Sequence, residues 1–303
     1  MVNLTVKIGK LKLKNPVMVA SGTFGPEYGE LVDINKLGAY IAKTITLNAR
    51  RGNPPPRVAE TASGMLNSIG LENKGADDFV KNKIPELRNV KIPIIASITG
   101  EDAGEFKELA KILTRVKKIS GLEVNLSCPN VKHGKRDFLI AQDPDATYEI
   151  IEAARRATSL TIIAKLSPNV TDITKIAKAA EAAGANAVSL VNTFIGMAVD
   201  IETQRPVLGN ITGGLSGPAI KPIALRMTRD VYKEVKIPII GIGGIMDYKD
   251  AIEFILCGAT AVQVGTANFV NPTAALEIIE GLKKYMAKNK IRDIKKLTGA
   301  LKT

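Results

Sequence analysis

The chain has 303 residues, of which 45% are hydrophobic and 24% are charged, a balance that excludes a disordered protein and fits two small domains or one α/β barrel. The net charge of +12 makes a nucleic-acid or other anionic partner worth considering, although solubility explains it equally well. One histidine and two cysteines exclude a zinc site built from several imidazoles, a disulfide framework and an iron–sulfur cluster.

Short apolar runs alternate with amphipathic helical patterns along almost the whole chain. Residues 4–14 alternate strictly around Gly9 and predict a β-hairpin. Eight predicted strands follow, apolar on both faces as covered strands should be: 15–21, 39–46, 93–98, 122–127, 162–167, 187–193, 238–244 and 261–267. Helical patterns lie between them, near 103–118, 144–157, 172–184, 218–235, 248–257 and 273–288.

Eight strands with helical crossovers predict an α/β fold of the (β/α)8 (TIM) barrel type, with a single domain over residues 1–303. A doubly wound open sheet is the alternative, but residues 21–26 (SGTFGP) match its G-x-G-x-x-G turn poorly. Two long βα segments, 47–92 and 194–217, would lie over the C-terminal mouth of the barrel. The hairpin would plug the opposite end.

The chain shows no apolar segment typical of a signal peptide, and no apolar run reaches about 18 residues. Two widely separated thiols indicate a reducing compartment. We therefore expect a cytoplasmic protein without a membrane partner.

Polar residues at the C-terminal ends of barrel strands point into the active site of such folds. No carboxylate ends any of the eight predicted strands, so the mouth suits an anionic, electron-rich ligand, and no metal site is predicted. A single serine or threonine here would usually be an ordinary strand-end polar group, but the whole set favours a site. The set is Ser21, Lys43, Thr44, Ser97, Asn125, Ser127, Cys128, Lys165, Asn192, Thr193, Gly243, Gly244, Gly265 and Thr266.

The glycines that follow the last two predicted strands indicate a phosphate cradle, because bare backbone N–H groups can approach phosphate oxygens closely. The phosphate could belong to a substrate or to a flavin mononucleotide. Cys128 follows a strand end and precedes a proline, where a thiolate can act as a base or nucleophile. Cys257 lies in an apolar helical pattern and is interpreted as a core residue.

Residues 125–130 (NLSCPN) resemble the signature of the class 1 dihydroorotate dehydrogenases, flavin enzymes of pyrimidine synthesis. The likeness continues in the family's order and spacing through nearly the whole chain. The matching segments are 15–23, 43–44, 67–71, 165–168, 192–193 and 265–267.

The resemblance implies that FMN lies across the mouth, with Lys165 near the pyrimidine edge of the flavin, where a fixed cation stabilises the reduced form. The chain departs from the family at Ser97, where asparagine is usual; serine can still donate or accept a hydrogen bond, and we expect FMN to bind. The implied cofactor residues are Ser21, Lys43, Thr44, Ser97, Asn125, Lys165, Val191, Gly217 and, for the phosphate, Gly243, Gly244, Gly265 and Thr266.

The resemblance also implies that dihydroorotate stacks on the flavin and is oxidised to orotate. Cys128 would take the proton from C5 while C6 delivers hydride to flavin N5. A cysteine base, with a reference pKa of about 8.5, predicts activity that rises on the alkaline side of neutrality. The implied substrate residues are Lys43, Asn67, Ser68, Ile69, Gly70, Leu71, Asn125, Asn192 and Thr193.

Residues 130–138 (NVKHGKRDF) look more like the NAD-linked branch, class 1B, than the fumarate-linked class 1A. In class 1B a second subunit supplies FAD and a [2Fe–2S] cluster, which agrees with the low cysteine count of this chain. The resemblance further implies a homodimer or a heterotetramer. The quinone-linked class has a long membrane-targeting N-terminal segment and a serine base. This sequence shows no such segment and has a cysteine at the matching position, so we do not expect that class.

Three other functions are alternatives for a basic barrel of this kind. A tRNA dihydrouridine synthase would need an added helical RNA-binding domain, and a dihydropyrimidine dehydrogenase would need cluster-binding cysteines elsewhere in the chain. A basic barrel that binds nucleic acid without catalysis would need no thiol at its mouth. The net charge lies at the two ends of the chain: residues 1–14 contribute +4 and residues 283–303 contribute +7, which leaves +1 for residues 15–282. It therefore says little about the substrate and indicates a surface for a partner, a neighbouring subunit or solubility.

Overall fold

The computed structural model describes residues 2–126 and 142–302. Its strands, in chain order, are β1 (Val6–Ile8), β2 (Leu11–Leu13), β3 (Val17–Val19), β4 (Tyr40–Ile45), β5 (Val58–Thr61), β6 (Gly64–Asn67), β7 (Ile94–Ile98), β8 (Ile119–Asn125), β9 (Thr161–Lys165), β10 (Ala187–Leu190), β11 (Phe194–Met197), β12 (Val199–Asp200), β13 (Arg205–Pro206), β14 (Thr212–Ser216), β15 (Ile239–Ile242) and β16 (Ala261–Val264).

One parallel sheet in the described chain contains eight of these strands, in the order β3-β16-β15-β10-β9-β8-β7-β4. A parallel bridge between Met18 and Ala39, together with the hydrogen bond from Gly38 N to Val17 O (2.8 Å), brings the two outer strands together. The predicted (β/α)8 barrel is therefore confirmed, and each predicted strand overlaps an observed one. The strands are buried almost throughout, which explains why their sequences are apolar on both faces.

The α-helices carry the chain from one strand to the next around the outside of the sheet. Several begin at an aspartate whose side chain accepts a backbone N–H, as Asp102, Asp172 and Asp247 do. Short 3₁₀ turns and a π-helical turn (Phe79–Lys83) complete the connections. The α-helices are α1 (Gly75–Asp78), α2 (Ile84–Glu86), α3 (Ala103–Thr114), α4 (Pro144–Ala157), α5 (Ile173–Ala182), α6 (Lys221–Glu234), α7 (Tyr248–Leu256), α8 (Ala267–Val270) and α9 (Ala274–Lys288).

The N-terminal hairpin covers the lower end of the barrel. Strands β1 and β2 pair antiparallel around Gly9, as predicted, and their apolar side chains are buried. The backbone N–H of Lys10 donates to Thr161 Oγ1 (3.1 Å), at the first residue of β9. Parallel strands begin at this end, so the hairpin lies opposite the mouth.

The C-terminal segment is fixed beside the hairpin. Asn3 N donates to Arg292 O (2.8 Å), and Ile294 N donates to Asn3 O (3.0 Å). Ile294 is buried, and so is Leu297. The two basic ends of the chain therefore lie next to each other.

The two long βα segments form one structure that the sequence did not predict as such. Strands β5 and β6 come from the first segment and β11 and β14 from the second, and they pair antiparallel in the order β11-β14-β6-β5. The pairing of Leu66 with Leu215 joins the two segments. The result is a small sheet whose residues share a cavity with the barrel strand ends.

Candidate active site

A cavity of about 480 Å³ lies at the C-terminal ends of the barrel strands. Its wall also includes residues of the small sheet β11-β14-β6-β5, called the inserted sheet below. Among them are Val58, Met65 and Asn67. A concave space of this volume is of the size that small-molecule and cofactor sites have.

Most of the residues predicted for the site meet at this cavity. Those that line it are Ser21, Lys43, Thr44, Asn67, Ile69, Gly70, Leu71, Asn125, Lys165, Val191, Asn192, Thr193, Gly217, Gly243, Gly244, Gly265 and Thr266. They come from the ends of the barrel strands and from the two long βα segments, so residues distant in sequence are brought together.

Two predicted residues that the structure describes are not among those that line the cavity. Ser97 is fully buried, and its Oγ lies 2.8 Å from Thr44 Oγ1, so it supports a lining residue from behind. Ser68 is also fully buried and accepts a hydrogen bond from Asn53 Nδ2 (2.9 Å). Cys128 lies outside the described residues, as does Ser127.

Glycines form one end of the cavity, after β15 and β16 and before α6. Gly244 has φ +70°, and a Cβ added to it would lie 2.8 Å from Gly217 O. Gly217 has φ +95°, and a Cβ there would lie 2.7 Å from Gly64 Cα. Both the backbone conformation and the close approach of three segments therefore favour glycine. Nearby, Thr266 Oγ1 is 2.8 Å from Ser216 Oγ, a second hydroxyl at the same end.

Amide side chains and a lysine border another part of the cavity. Asn192 Nδ2 donates to Asn125 Oδ1 (3.3 Å), and Asn67 Nδ2 donates to Gly214 O (3.3 Å). These bonds fix the amides in orientation. Lys43 is exposed at the cavity and supplies a positive charge. The combination suits a ligand with amide edges and a carboxylate.

Lys165 ends β9 and is almost completely buried, although it lines the cavity. Its Nζ lies 3.3 Å from Ser21 Oγ and 3.4 Å from Glu123 Oε1. The mouth thus has a second lysine, which neighbouring side chains hold in place, with a carboxylate beneath it.

Sequence reasoning missed several polar residues of this region. Glu72 lines the cavity and pairs with Arg57 (Nη1 to Oε2, 2.6 Å), and Ser216 lines the glycine end. Glu123 and Gln263 lie inside the barrel. They stand two residues before Asn125 and Gly265, so the period-2 rule for strands places each pair on one face, a signal present in the sequence.

Cys257, which the sequence places in the core, is not among the buried residues of the core. It follows α7 and is partly buried, and this burial raises the pKa of its thiol.

No helix in the described part of the chain has the length and apolarity needed to cross a membrane. Across the same residues, no group of three or more His, Cys, Asp or Glu side chains is placed to hold a metal ion.

The sequence matches the family model of dihydroorotate dehydrogenase over residues 3–286. It is 55% identical to the dihydroorotate dehydrogenase B (NAD(+)), catalytic subunit, of Trichlorobacter lovleyi, over 98% of both chains. It is 54% identical to the protein of the same name from Geotalea daltonii, over 99% of this chain and 98% of the relative. Among solved structures, the fold is similar to DHODH from Eimeria tenella, determined in complex with ferulenol, with a TM-score of 0.80 and 25% identity over 98% of this chain and 88% of that one. The chain therefore belongs to the dihydroorotate dehydrogenase family.

Proposed function

We propose that this chain is the catalytic subunit of an NAD-linked, class 1B dihydroorotate dehydrogenase of cytoplasmic pyrimidine synthesis. The observation that carries the proposal is the meeting, at one cavity, of two lysines, three asparagines and a glycine-built end. Relatives above 50% identity over nearly the full length carry the name of that subunit.

The cavity fits FMN as the cofactor. The close backbone approaches at Gly217 and Gly244 leave no room for a Cβ, as a phosphate cradle requires, and Gly243, Gly265 and Thr266 lie at the same end. Lys165, with Ser21 at its side, would stabilise negative charge on the flavin ring. Thr44, Val191 and Asn125 would border its length, and Ser97 would act through Thr44. When bound, FMN accepts the hydride that leaves C6 of the substrate.

The substrate is proposed to lie between the flavin and the inserted segments. Lys43 would pair with its carboxylate, and Asn67, Asn125 and Asn192 would bond to its amide edges. The backbone of residues 68–71 and the Thr193 hydroxyl would close the site around it. These contacts orient the C5–C6 bond and exclude water.

The proton at C5 is proposed to go to Cys128. This residue follows the end of β8 by three positions, next to the strand that carries Asn125. Removing the C5 proton as C6 loses hydride leaves the C5=C6 double bond of orotate. A thiolate is needed for this step, so turnover should rise with pH toward the reference thiol pKa of about 8.5.

Electrons are proposed to pass to NAD through a partner subunit that carries FAD and a [2Fe–2S] cluster. The relatives' name "catalytic subunit" supports the existence of another subunit. The assembly would then be a heterotetramer built on a homodimer of this chain.

The test is an anaerobic absorption spectrum of the purified chain with and without dihydroorotate. We expect a flavin band that dihydroorotate bleaches; a colourless protein, or a band that stays, contradicts the proposal. Cys128→Ala should keep the flavin and lose its reduction by orders of magnitude, whereas Cys257→Ser serves as the matched thiol control. For the branch, turnover of the isolated chain with fumarate would point to class 1A instead.

A further inference from the structure

A charged and polar cluster lies inside the barrel beneath the cavity. Glu123 is fully buried, and its Oε1 lies 3.4 Å from Lys165 Nζ. Its Oε2 accepts hydrogen bonds from Gln263 Nε2 (2.7 Å) and Ser189 Oγ (3.2 Å). The four side chains come from β8, β9, β10 and β16.

The cluster spans the barrel. Strands β8 and β16 are separated by three strands in the sheet order, so the bond from Gln263 to Glu123 crosses the interior. The carboxylate is thereby held by donors on two sides, with its remaining oxygen aimed at Lys165. This arrangement fixes a negative charge in a place where an unpaired charge would be strongly unfavourable.

Lys165 needs such a partner. Its side chain is 7% exposed, and a charge buried to this degree is unfavourable unless an opposite charge pairs with it. The charged groups that line the cavity with it in the described chain are Lys43 and Glu72. Of the carboxylates in residues 2–126 and 142–302, Glu123 alone stands within ion-pairing distance of Lys165 Nζ. The other contact of that ammonium, Ser21 Oγ, is neutral.

We propose that Glu123 is a positioning residue that pairs with the buried Lys165 and directs its side-chain amine toward Ser21 at the mouth. The part of this inference that concerns the flavin rests on the proposed function; the part that concerns the pairing of Lys165 with Glu123 does not. Glu123 itself does not line the cavity, and it acts only through Lys165.

The first experiment uses the flavin-free chain and cyanate, a small reagent that carbamylates lysine side chains. In Glu123→Gln, carbamylation of Lys165 at pH 8, followed by peptide mass spectrometry, should be at least about tenfold faster than in the wild type, because no carboxylate then holds the Lys165 amine in an ion pair. Lys43 in the same samples should change by less than about twofold. Ser189→Ala removes a hydrogen bond to Glu123 but keeps its charge, so Lys165 should stay slow. Equal Lys165 rates in the wild type and Glu123→Gln overturn the inference, whether or not the chain binds flavin.

The second experiment measures FMN binding and the midpoint potential of bound flavin. Glu123→Gln should weaken FMN binding by about tenfold and make the potential more negative, because the reduced flavin loses a fixed cation. In a Lys165→Met background the same substitution should change FMN affinity by less than about twofold. An unchanged or more positive potential, or an undiminished effect without Lys165, overturns the inference. A wild type that binds no FMN contradicts the proposed function instead.

Stability provides a measurement should Glu123→Gln alone fold poorly. Removing one partner of a buried pair leaves an uncompensated charge, whereas removing both does not. The double variant Glu123→Gln, Lys165→Met should therefore melt at a higher temperature than Glu123→Gln. The side-chain amide of Gln263 can accommodate the change, since in the described chain its Oε1 lacks a hydrogen-bond partner. A double variant less stable than the single one would show that the two charges are not coupled.

Discussion

The glycine end of the cavity has two proposed roles: its glycines adopt a backbone conformation that other residues avoid, and they hold the phosphate of FMN. Replacing Gly244 with alanine, and comparing it with Gly265→Ala, distinguishes the two. The φ of +70° at this position is costly for any residue with a Cβ, by roughly 1–2 kcal/mol. The added Cβ would also lie 2.8 Å from Gly217 O and 2.8 Å from the Cβ of Lys221. The carbonyl belongs to the backbone and cannot rotate away as a flexible side chain could.

The expected loss in the free energy of unfolding is therefore about 2 kcal/mol or more, at the upper end of the cost of a strained backbone conformation. For a chain of this size that corresponds to a fall in Tm of roughly 3 °C. Urea unfolding of the flavin-free protein, followed by circular dichroism, measures the first quantity, and a thermal scan the second. FMN titration should show weaker binding, because relieving the contact moves the segments that form the cradle.

Gly265→Ala is the matched control. Gly265 lines the same cavity, but its φ lies outside the left-handed region, and the nearest atom to an added Cβ is Ala20 Cβ at 3.5 Å, an ordinary contact. Its stability should stay within about 0.5 kcal/mol of the wild type, while the methyl group in the cavity weakens FMN binding. If Gly244→Ala is as stable as the wild type, or if both variants lose stability equally, the steric reasoning is wrong.

Three further outcomes follow from local geometry. Asp247→Ala removes the capping box at the start of α7 and should cost about 1 kcal/mol in urea unfolding, whereas a loss near zero would contradict the capping role. Burial works to raise the pKa of Asp250, but hydrogen bonds from Lys221 and the backbone outweigh it and hold that pKa below its ordinary value. The stability that this pair contributes is thus present above the unfolded pKa of about 3.9 and is lost as the pH falls through the folded pKa. In Lys221→Met, the urea concentration at the unfolding midpoint should therefore fall less steeply below pH 4 than it does in the wild type. Burial raises the pKa of the Cys257 thiol, so alkylation of the native protein at that residue should be slower than for a free thiol at pH 7.5.

The barrel could be predicted from the sequence because its strands are buried on both faces. Runs such as 93–98 are apolar at every position except Ser97, and a glycine or proline bounds most of them. The hairpin was equally visible, since its alternation of buried and exposed residues has the strict period of a strand with one solvent-facing side. Once the barrel was predicted, its strand ends indicated which residues should form the site, and most of those residues line the cavity.

The inserted sheet could not be predicted in the same way. Its strands are short and partly exposed, with Val58 and Ile195 about half exposed, so burial leaves no clear pattern in the sequence. Its register also depends on pairing between segments far apart in the chain, such as Leu66 with Leu215. Local propensity carries no information about such a partner. The proposed contacts of Asn67 depend on this sheet, because β6 is the strand that presents it.

Most of the net positive charge of the chain lies at the lower end of the barrel and is not part of the proposed ligand site. On the hairpin, exposed lysines alternate with the buried side chains of β1 and β2, and the C-terminal lysines flank the buried Ile294 in the same way. These charges lie at the lower end of the barrel, and β9 separates that end from the cavity by about 13 Å of strand. At physiological salt, charges that far apart are largely screened, because the Debye length is about 8 Å. The preference for an anion that we propose for the cavity therefore rests on the two lysines that line it, of which Lys43 is exposed and Lys165 pairs with the buried Glu123.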